Sequence, residues 1–259
     1  MHSIIFHAHQ KIDRLARRNL ASLEPLVYFP SIKQILKFEA GRGPDGAKLK
    51  RHKHSQQPWH FVNPDDQLES AIHSEISFHY HGLVEALKQK DQTRAGFEAA
   101  WLAHALVDGL TPAHHYPYEE ELEDLRGTHR DTRKGLAGRL YVKGGSVTKT
   151  VKKSAKLIGP KGLLTSHAMF EAGAFTIIAP LRLTKSLPDA KDIAEYTHAN
   201  LVTYFNKMVG EVDALNIYER FCKVGWTQSV ARDVKKELAP RMVKIVTLAW
   251  YSAVQEAKA

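Results

Sequence analysis

The 259-residue chain has a single cysteine, Cys222. No internal disulfide can form, a thiolate zinc cluster is excluded, and the usage fits a reducing compartment. No run of eighteen apolar residues occurs, so no membrane span is expected. The opening stretch M-H-S-I-I-F-H-A-H-Q has neither a basic start nor a long apolar run. No secretory signal is read there, and the expected location is cytoplasmic. Strand-type alternation is scarce and no internal repeat is visible. What the chain does carry is positive charge: 37 Lys and Arg against 28 Asp and Glu, a formal balance of +9. That excess favours anionic partners, namely nucleic acid, phosphate esters or an acidic membrane surface, without choosing among them. Histidine is abundant at 15 residues.

Helical periodicity dominates. Apolar spacing predicts helices over His9 to Leu26, from Ser31 through Phe38, Gln67 to Gln89, Thr93 to Leu110, Glu119 to Arg126, Leu163 to Ala179 and Asp189 to Val209. Further helices are expected over Val212 to Val224 and Thr227 to Ala257, with Pro240 a break or kink. Gly41 to Pro58 reads as a loop. From Arg126 to Lys161 there are eleven basic residues and one acid, Asp131. The expectation is one all-α domain over 1–259 with a basic, loop-rich insertion at about 126–162. Its plainest role is a solvated surface. The functional alternative is an anion-binding arm carrying Lys149, Lys152, Lys153 and Lys156.

The stretch W-L-A-H-A-L-V-D-G-L-T-P-A-H-H, from Trp101 to His115, is the most informative in the chain. His104 and Asp108 are four residues apart and share a helix face. His114 follows the Thr111-Pro112 break. His167 and Glu171 repeat the four-residue spacing in S-H-A-M-F-E. Imidazole and carboxylate one turn apart can hold a metal from one helix. Taken singly, each pair is more often a helix salt bridge. Upstream, His60 stands between Trp59 and Phe61, and Asp45 sits in the turn G-P-D-G. His9 opens the first predicted helix. His115 reads as the neighbour of a ligand, and His73, His79 and His81 as surface or pocket-edge residues.

The joint order of Asp45, His60, His104, Asp108, His114, His167 and Glu171 resembles the zinc-dependent phospholipase C family. It is also similar to the related fungal zinc-dependent single-strand nucleases. The resemblance covers roughly residues 1–180 and is most specific in H-A-L-V-D-G-L-T-P-A-H-H. It implies an all-α fold with two or three Zn2+ ions at the base of a cleft. Asp45, His60, His104 and Asp108 would surround one ion, Asp108 would bridge to another, and His114, His167 and Glu171 would hold the remaining one. The implied reaction is phosphodiester hydrolysis, with metal-activated water attacking phosphorus and Asp45 orienting or deprotonating that water. The substrate would be a phospholipid, with peripheral membrane contact, or single-stranded nucleic acid. In the family the mature N-terminal residue gives its amine and carbonyl to one zinc beside a first-helix histidine. This chain starts at Met1. His9 best matches that histidine, and His7 or His2 are alternatives for the amine. The gap between His114 and His167 is longer than in the bacterial phospholipases, and the excess is the basic segment. A non-catalytic anion-binding helical protein with a structural or degenerate metal site is the alternative from a different class.

Overall fold

Apolar residues repeat at helical spacing along most of this chain, and they pack as helices on helices. The computed structural model describes residues 2–25, 28–39, 43–44, 61–64, 71–115, 118–127, 142 and 144–259, with the side chains of 2–7, 118, 119 and 185 outside the description. The protein is all-α, with no strand among the described residues.

The first half comprises α1 (His2–Leu23), α2 (Ile32–Leu36), α3 (Ala71–Lys88), α4 (Gln92–Leu110) and α5 (Tyr118–Arg126). Then come α6 (Val147–Ile158), α7 (Leu163–Ile178), α8 (Ala190–Ala199) and α9 (Leu201–Asp213). The chain ends with α10 (Ile217–Val224), α11 (Gln228–Asp233) and α12 (Ala239–Lys258). Helices α3 and α4 form a hairpin whose turn carries Lys90 at φ +55°. Asp91 starts α4 by accepting from the backbone N–H groups of Thr93 and Arg94 at 3.0 and 2.9 Å.

Helix α4 is the central element. Its buried residues include Ala95, Ala99, Leu102, Ala103, Leu106, Val107 and Leu110, which lie on several sides of the helix. It packs against α2, α3, α9 and α12. Gly109 makes the α9 contact possible: a Cβ there would lie 2.4 Å from the Phe205 ring and 2.9 Å from Ile72. Helix α12 packs on α1, α3 and α4, and its fully buried Trp250 donates from Nε1 to the Ala99 carbonyl at 3.2 Å. One core runs from Ile12 to Val254, with a smaller cluster of Leu122, Val142 and Leu157 beside it.

Three expectations change. The helix expected over Asp189 to Val209 divides at Asn200, whose φ of +65° no α-helix accepts; its side chain caps α9 instead, accepting from Thr203 N–H at 3.1 Å. The break expected at Pro240 takes the form of a register shift and not an end to the helix. A π turn over Val234–Leu238 shifts the hydrogen-bond register just ahead of the proline, so the missing N–H falls in the first turn of α12. The basic segment read as loop-rich contains the 12-residue α6, capped by Ser146, while residues 128–141 lie outside the description.

Candidate metal centre

Helices α1, α4 and α7 and the turn after α4 bring six of the expected donors together. On α4, His104 and Asp108 face the same way, as one-turn spacing requires, with Nε2 and Oδ2 3.3 Å apart. From α1, His9 stacks on His104, centroids 4.0 Å apart and planes 10° off parallel, and its Nε2 reaches Asp108 Oδ1 at 3.3 Å. One carboxylate is therefore approached by two imidazoles, one on each oxygen. His9, His104 and Asp108 are all buried.

After α4 the chain turns sharply. The Thr111 hydroxyl donates to the Val107 carbonyl at 2.9 Å, and Pro112–His114 form a single 3-10 turn. This turn brings His114 back toward the helix end, where its Nδ1 lies 4.0 Å from Asp108 Oδ2. The backbone N–H of Val62 donates to the His114 carbonyl at 3.1 Å, which pins the 61–64 segment to the same turn. His114 Nε2 and His167 Nε2 converge on Glu171 Oε1 at 3.1 and 3.2 Å. The two rings are 5.0 Å apart and 5° off parallel, and Phe61 lies 5.4 and 6.3 Å from them.

Two three-donor groups result, His9/His104/Asp108 and His114/His167/Glu171, each with donor atoms within 4.8 Å of one another. Asp108 stands between them. Burial opposes ionisation of Glu171, yet the imidazoles of His167 and His114 hold its carboxyl well below the usual carboxylate range. A cavity of about 40 Å³ touches His9, Asp108 and Glu171 on its polar side and Ile12, Phe170, Ile178 and Met242 on its apolar side.

The donor spacing fits a cation. Ligands held about 2.1 Å from a tetrahedral ion sit about 3.4 Å from each other. The four imidazole–carboxylate separations, 3.1 to 3.3 Å, are close to that edge and longer than a strong charge-assisted hydrogen bond of about 2.8 Å. Nitrogen and carboxylate donors without thiolate suit zinc.

Asp45 and His60 lie outside the described residues, as do the side chains of His2 and His7. Lys149, Lys152, Lys153 and Lys156 are brought to α6 and not to the centre. His115 turns away from it: its Nε2 donates to the Gly109 carbonyl at 2.8 Å, and burial pushes its imidazole below the usual value. The surface or pocket-edge reading is corrected for His73, while His79 is buried at the edge of a cavity lined also by Phe97 and Trp101. Both are buried, His73 against Asn206 Oδ1 at 2.7 Å and His79 between two carboxylates, because α3 turns that face to α4 and α9. Glu75, four residues before His79, was the visible sign.

Two buried acids escaped the sequence reading. Glu39 Oε2 stands 3.6 Å from His104 Nδ1, on the side of the ring away from Asp108. Asp13 is buried near it, and neither of its carboxylate oxygens has a hydrogen-bond partner among the described residues. Burial, with the Glu39 charge nearby, raises the Asp13 carboxyl well above its usual value. His9 and Asp13 repeat the one-turn spacing, so Asp13 was findable. Nothing local distinguishes Glu39.

A larger cleft, about 870 Å³, lies elsewhere, around α8, α9 and the start of α12. Its lining is charged, but Lys244 meets Asp192 at 2.8 Å, and Arg241 meets Glu237 and Glu211 at 2.6 and 3.2 Å. Glu195 also meets Lys207, and the described residues lining the cleft include no histidine or cysteine. Comparison with protein-family models, with curated proteins and with solved structures found no match to this chain. A functional reading therefore rests on the residue pattern and on this geometry.

Proposed function

We propose that the protein is a zinc-dependent phosphodiester hydrolase of the phospholipase C type. The observation that carries the reading is Asp108 joining two His-and-carboxylate groups whose internal spacing matches a coordination edge. Neighbouring cation sites sharing one carboxylate are the arrangement that phosphodiester hydrolysis uses. A structural zinc needs only one closed site.

His9, His104 and Asp108 would hold one ion, and His114, His167 and Glu171 another, with Asp45 and His60 as further donors expected from the sequence. Zinc bound there supplies Lewis acidity and lowers the pKa of water. The chain's own residues do the rest. Asp108 links the two groups, because its Oδ2 lies 3.3 Å from His104 of the first and 4.0 Å from His114 of the second. Glu39 is a positioning residue: placed at the Nδ1 side of His104, it favours the tautomer that leaves Nε2 free to ligate. Glu171 stays ionised and so remains a ligand in mildly acidic conditions. The apolar wall of Ile12, Phe170, Ile178 and Met242 keeps bulk water from that side of the carboxylates.

The test is metal content followed by turnover. Purified protein is expected to carry two or three zinc ions per chain and, when zinc-loaded, to hydrolyse phosphatidylcholine and a soluble phosphodiester such as bis(p-nitrophenyl) phosphate. Hydrolysis of single-stranded DNA and not of phosphatidylcholine would move the reading to the nuclease type. One zinc or none, with no turnover of any phosphodiester after loading, would overturn it.

A further inference from the structure

Helix α6 lies close to the second donor group. Its Leu157 is fully buried with Leu122 and Val142, and Phe61, Leu163 and Leu164 pack on that cluster. Phe61 is also the ring beside His114 and His167. Helix α7, which carries His167 and Glu171, packs directly against α6. One side of α6 is thus anchored next to the centre.

Its outward sides are unusual. Val147, Val151 and Ile158 are 82%, 61% and 54% exposed. At about 100° per residue they fall within about 40° of one another, a single apolar stripe facing water. Of the eight large hydrophobic side chains exposed among the described residues, three are on this one helix. Lys149, Lys152 and Lys156 are exposed and lie within about 60° of each other on a separate stripe, with half-buried Lys153 beside them. The helix carries no acid. Single exposed apolar residues are ordinary, but an aligned row with a row of cations about 150° around the helix from it is the two-faced pattern of a helix that lies in a membrane interface.

We infer that α6 docks the protein on an anionic lipid bilayer, with Val147, Val151 and Ile158 among the acyl chains and Lys149, Lys152 and Lys156 on the headgroup phosphates. A bilayer uses both stripes. A nucleic-acid backbone would engage the lysines and leave the apolar row wet. The inference rests on the proposed function in so far as it names phospholipid as the substrate class, since docking sets the donor groups beside headgroups.

The experiment is vesicle co-sedimentation of the full chain after chelation with EDTA, so that binding is read without turnover. Vesicles of phosphatidylcholine alone are compared with vesicles containing about 30% phosphatidylserine. Binding to the anionic vesicles is expected to fall with rising salt. The triple variant Val147→Ser, Val151→Ser, Ile158→Ser should lose about ten-fold in affinity and keep its salt dependence. The triple variant Lys149→Gln, Lys152→Gln, Lys156→Gln should lose about a hundred-fold and flatten it. Both sets of positions are exposed, and circular dichroism confirms the fold. No association with anionic vesicles, or a serine variant that binds like the unmodified chain, would overturn the docking role. Binding of single-stranded DNA that depends on the lysines but not the apolar row, without vesicle binding, would do the same. Vesicle binding without hydrolysis by zinc-loaded protein would leave docking intact and remove the phospholipase reading. Zinc-dependent hydrolysis of the soluble ester without vesicle binding would do the reverse.

Discussion

Two buried His-and-carboxylate regions share helix α4, one near each end, and they differ in kind. Toward the start of α4, Glu98 is completely buried and His79 donates to it at 2.5 Å, with Arg94 on its other oxygen. Glu75 closes the far side of His79 at 3.3 Å. Burial alone would lower the His79 pKa, but hydrogen bonds to Glu75 and Glu98 and their charges raise it overall. This network provides its own protons and cations. At the other end of α4 no contact is as short as His79–Glu98: all four separations lie at 3.1–3.3 Å, in the range of the Glu75–His79 pair, but here the rings stack and Asp13 has no donor among the described residues. The first region is complete as an ion-pair network. The second has the spacing of a site built around a cation. One-turn His/acid spacing occurs in both, so spacing alone does not distinguish a ligand from a salt bridge.

The sharpest way to break this contrast is at Asp108. Asp108→Asn should remove more than about a hundred-fold of the phosphodiesterase rate and lower zinc content, since losing even an outer-shell partner costs about 10–100-fold. Normal turnover with full zinc would show the centre to be misread. Chelation comes next. EDTA should lower the Tm of the unmodified protein by about 10 °C, because tight metal binding stabilises the folded state by several kcal/mol. An unchanged Tm in differential scanning calorimetry would argue against bound metal. His79→Ala should lower stability without affecting the metal. It leaves Glu98 with Arg94 alone and should cost about 3 kcal/mol in denaturant unfolding with zinc content unchanged. Loss of zinc in that variant would erase the distinction between the two regions.

A smaller effect concerns Glu39 and Asp13. Glu39→Gln should weaken zinc affinity about ten-fold in a competition titration while leaving the fold intact. Asp13 is raised from its usual 3.8. A raised carboxyl favours the folded state when protonated, so its contribution is present below the ordinary value and fades as pH climbs through the elevated one. In metal-free protein, Asp13→Asn should therefore flatten the fall in Tm as pH climbs above the ordinary carboxylate range. A variant whose Tm still falls as steeply would show that another group controls it.

Much of the fold was legible. Long periodic stretches such as Gln92–Leu110 and Leu163–Ile178 were expected to within a few residues, because buried faces repeat at the helical period. The misses have local causes. A positive φ at Asn200 and a π turn before Pro240 are choices of backbone that apolar spacing does not encode. Amphipathic α6 was hidden by its lysines, which made the basic segment read as a loop-rich insertion.

The sequence on its own determined which donors share a helix face, because a one-turn interval is a property of the chain alone. His104 with Asp108 and His167 with Glu171 follow from that geometry. Only the tertiary structure decided which pairs meet. His9 reaches Asp108 across 99 positions of chain, and Glu39 reaches His104 across 65, through packing of α1, α2 and α4. It also decided that His79 is spoken for while Asp13 is not. Burial strips water from both, and whether a partner replaces that water depends on neighbours distant in sequence.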